Sequence, residues 1–264
     1  MFTRILKIYG LFLAQNIKKE MMYRTSFFIL IVIDFIAISV PVIFFQVLFS
    51  DVDTIGGWGF PAILILVGSV SFLREMAYLT FREGLGALGE QIRTGRFDVL
   101  LTKPFPTQLL VAFREISLVE SLGEGVVGFL LIVYGFTHLE IDVSLLHVAA
   151  YVLLLFVSFI LYYSIVLLIN TVAFWIVRAE SLGALMWTFM EMARYPREIL
   201  RGIGKIFFTF VIPISLVATV PSAALAGNIK PDQVALLLFL TVAFFILATF
   251  VWKKGIQHYN SASS

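Results

Sequence analysis

The chain has no cysteine, only three histidines and few charged residues. Charged side chains make up 14% of its 264 residues, against roughly 25% in a soluble domain. Without cysteine there is no disulfide and no thiolate metal site, and the three widely separated histidines lack the spacing of metal ligands. Several nearly uncharged stretches approach the length of about 20 residues that crosses a bilayer. These shortages exclude a soluble domain and predict one transmembrane domain over residues 1–264.

The sequence also lacks the motifs that mark common enzymes. It contains no Gly-x-x-x-x-Gly-Lys-Ser/Thr loop to hold nucleotide phosphates, no His-Glu-x-x-His and no Gly-x-Ser-x-Gly. We therefore predict no catalytic residue, no metal site and no cofactor bound by this chain. The net charge of +2 does not indicate a nucleic-acid partner.

The hydropathy pattern predicts an all-α integral membrane fold with six transmembrane helices. Residues 1–24 place apolar side chains at helical spacing, which predicts an amphipathic helix in the membrane interface. A helix packed on the protein's own cytoplasmic face explains the same pattern. The fourth apolar stretch is longer than a bilayer is thick and is expected to tilt. The predicted spans cover residues 26–49, 55–73, 115–136, 145–177, 206–220 and 234–252.

Basic residues orient these spans. Of the 19 lysines and arginines, only Lys230 falls outside when the N-terminus is placed inside. Most of the others lie in the N-terminal segment and in two charged segments, Arg74–Arg114 and Arg178–Lys205. Because basic residues accumulate in cytoplasmic loops, we predict that both termini and both charged segments are cytoplasmic.

Three carboxylates fall within predicted spans, where secondary transporters keep groups that bind coupling ions. Asp34 is about two turns into the first span, where it is buried and paired with an interfacial arginine, protonated, or lining a pathway. Glu120 and Glu124 are four residues apart and share a helix face. They mark either the mouth of a cavity or the wetted end of the third helix. With Pro213 and Pro221, these carboxylates are the candidate pathway or gate residues.

The segment 82–104 is the most informative part of the sequence. Its pattern predicts a short cytoplasmic helix that stops at Gly95, followed by a mixed apolar and charged strip that ends at a proline. Phe97 and Leu100 are expected to keep apolar surroundings. One interpretation is an interfacial loop that only anchors the bundle. The other is a docking surface on which a soluble partner contacts Glu90, Gln91, Arg93, Arg96 and Asp98.

Three short motifs occur in order along the chain. Residues 92–104, IRTGRFDVLLTKP, fit the pattern I-R-x-G-x-[LF]-D-x-x-L-x-[RK]-P. Arg194-Tyr195-Pro196 precedes a span with Ile212-Pro213 and then Val220-Pro221-Ser222-Ala223. Residues 252–262, WKKGIQHYNSA, fit W-x-x-G-[LI]-x-x-Y-x-S-A. Together these motifs resemble those of the membrane-spanning permease subunits of type-2 ATP-binding-cassette (ABC) exporters, from the second span to the C-terminus.

This resemblance implies a six-helix permease bundle in a bacterial-type plasma (inner) membrane. Two permeases, identical or related, would pair around a pathway, and two separate ABC ATPase subunits would bind beneath them. ATP and Mg would bind to the ATPases alone. Residues 82–93 would form the coupling helix that seats in the ATPase. The implied ATPase-coupling residues are Glu90, Gln91, Arg93, Gly95, Arg96, Phe97 and Asp98.

The resemblance also bears on gating and substrate. The outer gate would correspond to the kinked region from Pro213 to Gly227, and the short loop after Pro221 argues against a long re-entrant hairpin. Aromatic residues make up 15% of the chain, which suggests a hydrophobic or amphipathic substrate, although lipid-facing phenylalanine explains the same count. The leading hypothesis is an ATP-driven exporter. The alternatives are an ion-coupled secondary transporter or channel without an ATPase, and a membrane enzyme that acts on lipid.

Overall fold

The computed structural model describes residue 10 and residues 24–115, 117, 119–176, 186 and 188–259. All regular secondary structure in these residues is helical, as the hydropathy predicts. Most of the predicted interfacial helix and the last motif residues, 260–262, lie outside the described part of the chain. In chain order the helices are α1 (Arg24–Leu48), α2 (Phe60–Tyr78), α3 (Arg82–Gly86), α4 (Leu88–Arg93), α5 (Arg96–Leu101), α6 (Thr107–Arg114), α7 (Val119–Thr137), α8 (Leu145–Thr171), α9 (Gly202–Ile206), α10 (Ile214–Leu225) and α11 (Pro231–His258).

Glycines allow α2 and α7 to pack closely in antiparallel directions. A Cβ on Gly68 would stand 2.5 Å from the carbonyl oxygen of Gly128, and a Cβ on Gly135 would stand 2.5 Å from that of Pro61. Small residues let two helix backbones approach in this way inside a membrane. Helix α1 lies against this pair, so the three helices form one side of the bundle.

Helices α8 and α11 are long neighbours that form the other side. A 3-10 turn, Val172–Phe174, extends α8, and α11 has 28 residues. Helix α10 is buried along its whole length and packs on α8 and α2. Three hydroxyls join these helices in the interior. The Tyr151 and Ser69 oxygens are 2.9 Å apart, and Ser222 donates to Ser69 at 3.2 Å.

Three described helices are long and apolar enough to cross a membrane: α2, α8 with its 3-10 extension, and α11. Helices α1 and α7 contain the shorter apolar stretches Val32–Leu48 and Gly123–Thr137. A bent pair, Gly202–Val211 with Ile214–Leu225, would add a fourth span if it crossed as one unit. The fold is therefore that of a multi-pass membrane protein, and the count of six spans stays a prediction.

The second and third predicted spans differ in their bounds from the helices that form. The second predicted span, 55–73, is shifted because α2 begins only at Phe60 and continues to Tyr78. The third begins at Val119 rather than near 115, because the separate helix α6 ends at Arg114 and Glu115 has extended backbone. The shift in α2 matters for the site because it brings Arg74 and Glu75 into the buried part of the helix.

Between α2 and α7 the chain forms four short helices, α3 to α6, here called the short-helix segment (residues 82–114). Helix α4 ends at Arg93, and Gly95, with φ +72°, turns the chain into α5. Glycine adopts this left-handed conformation without a steric penalty. The predicted helix stop at Gly95 is therefore confirmed.

The bundle has two distinct ends. At the short-helix end, the Phe97 ring lies 5.4 Å from the Phe174 ring and 6.4 Å from the Trp252 ring. This brings the end of α8 and the end of α11 against the short-helix segment. The opposite end, here called the Trp58 end, contains the loop before α2, and residues after α10 line a cavity with that loop.

The segment after α8 does not stay at the short-helix end. Phe174 lies there, but Glu198 accepts a hydrogen bond from the Trp58 indole at 3.1 Å, at the opposite end. The chain therefore crosses the bundle between residues 176 and 197. The prediction that the whole charged segment Arg178–Lys205 shares one side with the short-helix segment is wrong. Counting basic residues missed this crossing because one of them, Arg194, is buried within it.

The predicted span 206–220, which has Pro213 inside it, is broken in the structure. Residues Gly202–Val211, which end in a π-helical turn, meet α10 at an angle of 86°. The break falls at Pro213, which has no backbone N–H to continue a helix. Glu198 precedes the pair and Ala226 follows it, and both lie at the Trp58 end. The pair therefore leaves and returns to one end as a re-entrant hairpin that contains α9 and α10. The expectation that the short loop after Pro221 argues against a re-entrant hairpin is wrong, because the hairpin lies mostly before that loop.

Candidate functional site

The exposed face of the short-helix segment carries three of the predicted coupling residues. Glu90 and Arg96 form an ion pair whose side chains are 51% and 54% exposed, and Arg93 is exposed nearby. The Thr94 hydroxyl donates to the Glu90 carbonyl at 2.8 Å and accepts from Arg96 Nε at 3.1 Å. Exposed ion pairs contribute only about 0–1 kcal/mol to stability. These charges are therefore not needed to hold the fold and are open to a partner.

Other predicted coupling residues lie beneath this exposed face and support it. Gln91 is 1% exposed and donates to the Glu115 carboxylate at 3.3 Å. Phe97 is fully buried, and the half-buried Asp98 accepts a hydrogen bond from the Tyr259 hydroxyl at 2.9 Å. Gln91 is therefore not presented to a partner. These side chains fix the positions of the exposed charges instead.

A ring of four charged side chains lies inside the bundle near its short-helix end. Glu124 of α7 forms ion pairs with Arg74 of α2 and with Arg194. Glu191 closes the ring, with Oε1 2.6 Å from Arg74 Nη1 and Oε2 3.2 Å from Arg194 Nη1. Ser71 also donates to Glu124 at 3.0 Å. The ring joins α2, α7 and the crossing segment that follows α8.

The ring is largely dry. The side chains of Arg74, Glu124 and Arg194 are at most 5% exposed, and a third buried carboxylate, Glu75, has Oε1 3.8 Å from Arg74 Nε. Removing one member of a buried pair leaves an uncompensated charge and costs about 3–5 kcal/mol. The ring therefore links the three elements only while all of its members are present.

Sequence reasoning identified Glu124 but missed its partners. The interpretation of Glu124 as the wetted end of a helix is wrong, because its side chain is 3% exposed. Arg74 and Arg194 were expected in cytoplasmic segments because each stands among other charges in the sequence. The i,i+3 pair of Glu191 and Arg194 was a detectable local signal. The partner charges on other helices become visible only when the helices are packed.

The structure describes the side chain of only one of the two remaining candidate carboxylates. Asp34 of α1 is half-buried, and a Cβ on Gly123 would stand 2.7 Å from the Asp34 Cβ. Gly123 is the neighbour of Glu124, so α1 packs on α7 at the level of the ring. Glu120 belongs to α7, but its side chain lies outside the described part of the structure.

A cavity of about 880 Å³ opens at the Trp58 end, between the loop before α2, the loop before α8 and the end of α10. Trp58, Phe49 and Phe60 supply aromatic surface, and Asp53 and Glu140 supply carboxylates. Among the residues that the structure describes, no lysine or arginine lines the cavity. Its volume lies within the range of small-molecule sites, roughly 300–1,000 Å³.

The two candidate gate prolines belong to the re-entrant hairpin beside this cavity. Pro213 stands at the break and Pro221 lies inside α10, and both are buried. The structure thus brings the prolines together in one unit. It does not bring them to Glu124, which lies near the other end.

Glu198 fastens the entry of the hairpin to its neighbours. Its Oε2 accepts from the Trp58 indole at 3.1 Å, and its Oε1 accepts from the Gln233 amide at 3.2 Å. Lys230 Nζ is 3.8 Å from the same Oε1. The loops before α2 and α11 are therefore tied together through one carboxylate. Sequence reasoning missed Glu198 because it placed this residue on the opposite side.

Within the described ranges, no group of three or more histidine, aspartate or glutamate side chains is arranged to hold a metal ion. A comparison with family models gives a match over residues 35–263 to the model described as ABC-2 family transporter protein. That range begins inside α1 and includes every later helix. Comparisons with curated proteins and with solved structures give no match.

Proposed function

Because the chain belongs to the ABC-2 family of transporters, we propose that it is the membrane permease subunit of an ATP-driven exporter. Membership makes the chain a membrane component rather than a catalytic subunit and implies an ABC ATPase partner. In this proposal the chain forms half of a translocation pathway, and a second permease forms the other half. ATP and Mg bind to the ATPase, and the short-helix end and both termini face the cytoplasm of a bacterial-type inner membrane.

The exposed charges on the short-helix segment carry this proposal. Glu90, Arg93 and Arg96 stand on two short helices at one end of the bundle, and the residue after Arg96 is the fully buried Phe97. A surface with a rigid base passes on a displacement that a mobile loop would absorb. The segment therefore suits a partner that pushes on it when ATP binds.

The charged ring links the short-helix segment to the rest of the bundle, as the proposal requires. Arg74 lies one turn before the end of α2, which leads directly into the short-helix segment. Through Glu124 and Glu191 it is linked to α7 and to the crossing segment. A shift of the short-helix segment would reach three elements of the bundle at once.

The cavity at the Trp58 end supports a hydrophobic or amphipathic substrate. Aromatic walls bury apolar surface, while Asp53 and Glu140 favour a neutral or positively charged polar group. The re-entrant hairpin borders the cavity and contains the break at Pro213. In the proposed cycle the substrate leaves through this end.

An ion-coupled transporter or channel is the second candidate, and Glu124 was its best-placed carboxylate. Both oxygens of Glu124 are engaged by Arg74 and Arg194, and Ser71 donates to it as well. A carboxylate held between two guanidinium groups has no free position for a coupling ion. This observation favours the ATP-driven reading.

A pull-down of the tagged chain from its native membrane in mild detergent tests the proposal. We expect an ABC ATPase to co-purify in stoichiometric amount with the unaltered chain. Reversing the charges in Arg93→Glu with Arg96→Glu is expected to remove the ATPase, because the exposed surface then repels its partner. The matched control is Lys253→Glu with Lys254→Glu, which reverses two exposed charges at the same end. Co-purification that survives the first pair of changes contradicts the assigned surface.

A further inference from the structure

Two sequence motifs meet at a single contact on the short-helix end. The rings of Phe174, Trp252 and Tyr259 surround Phe97, with centroids 5.4, 6.4 and 5.0 Å from its own. Phe97 belongs to the short-helix segment, whereas Trp252 and Tyr259 belong to the C-terminal motif. We call these four residues the aromatic joint.

A polar contact and a close approach fix the geometry of the joint. The Tyr259 hydroxyl donates to Asp98 Oδ1 at 2.9 Å, beside the buried Phe97 ring. Gly255 faces the Phe174 ring so closely that a Cβ there would collide with it. The residues Trp252, Gly255 and Tyr259 thus share one role, which is to hold the end of α11 on the short-helix segment and on the end of α8.

Helix α11 connects this joint to the other end of the bundle. Its 28 residues correspond to roughly 42 Å at about 1.5 Å per residue. At its start, the Gln233 amide donates to Glu198 at 3.2 Å, and Glu198 accepts from Trp58 at 3.1 Å. A continuous helix with a fixed contact at each end moves as one body.

We propose that α11 is the strut that carries motion of the short-helix segment to the Trp58 end, with Tyr259 and Asp98 as its positioning residues. This inference rests on the proposed function, because it needs an ATPase that moves the segment. Tyr259 and Asp98 touch neither nucleotide nor substrate. Their hydrogen bond fixes the position of the end of α11 relative to Arg93 and Arg96. These arginines lie a few residues before Asp98 in the sequence.

The test uses the complete complex and a reporter at the far end. The chain has no native cysteine, so Asn228→Cys, an exposed site that lines the cavity, is the only labelling position in this chain. The rate of maleimide labelling is measured with and without ATP, alongside co-purification and ATP hydrolysis. Tyr259→Phe and Asp98→Leu each remove one partner of the hydrogen bond and keep a side chain of similar size. Tyr134→Phe removes a hydroxyl from an exposed tyrosine outside the joint and is the control.

We expect both joint variants to retain the ATPase and its hydrolysis. The ATP-dependent change in labelling should fall about tenfold, the ratio that corresponds to ~1.4 kcal/mol of lost coupling. The double variant should equal the single ones, because both remove one bond. An undiminished ATP response in both variants overturns the strut, and so does loss of the ATPase in both, which would make the joint purely structural. If the unaltered chain carries no ATPase, the proposed function itself fails.

Discussion

At the scale of single residues, the charge of a side chain alone did not show whether that side chain is exposed or buried. Arg93 and Arg74 each lie near other charged residues in the sequence, yet one is exposed and the other is 1% exposed. The difference is set by packing, because Arg74 continues a helix that is covered by α7 and by the crossing segment. The exposed charges were predictable from a short helix and its Gly95 stop. The ring was not, since its members come from distant parts of the chain.

Glu124→Gln tests the buried ring. The change removes the carboxylate that both guanidinium groups contact in a largely dry site, so we expect a loss of about 3–5 kcal/mol of stability. Thermal unfolding of the purified chain in detergent measures the effect as a lower midpoint. Glu140→Gln, which removes an exposed carboxylate at the Trp58 end, should leave the midpoint unchanged. An equal midpoint for both variants would mean that the ring does not link the helices.

At the scale of elements, the helices most apolar in sequence were the easiest to predict. Helices α8 and α11 were expected within 145–177 and over 234–252. Helix α8 forms within its range, and α11 extends beyond both ends of its range. The hairpin of α9 and α10 was predicted as a single span with Pro213 inside it, because its apolar stretch is long enough for one. Hydropathy measures how apolar a segment is, but it does not show which end of the bundle the segment enters from.

Single-cysteine labelling tests the direction of the hairpin. Arg93→Cys, Glu140→Cys and Arg201→Cys are each made in a chain that has no other cysteine, and all three sites are exposed. We expect a membrane-impermeant maleimide to label Glu140→Cys and Arg201→Cys in intact cells, because both residues belong to the Trp58 end. Arg93→Cys should react only after the membrane is permeabilised. If Arg201→Cys is protected like Arg93→Cys, this segment crosses the membrane as a single span and does not form a hairpin.

At the scale of the whole molecule, short motifs were more informative than composition. Composition predicted an all-helical membrane protein, and the structure bears that out for the residues it describes. The family was found from three motifs, and two of them are now seen to touch each other at Phe97 and Tyr259. A motif whose residues form a contact between distant segments indicates how those segments pack. Hydropathy indicates only that the helices lie in a membrane. The substrate has no such motif, and the cavity gives only its general chemistry.

The absence of a phosphate-binding loop makes the central claim directly testable through ATP hydrolysis. The highly purified chain alone is compared with the complex that co-purifies from its membrane, at equal amounts of the chain. The account predicts no hydrolysis above background by the chain alone and clear hydrolysis by the complex, because the nucleotide site belongs to the partner. Hydrolysis by the chain alone, or a chain that moves substrate without any ATPase present, would contradict the assignment as a permease driven by a separate ATPase.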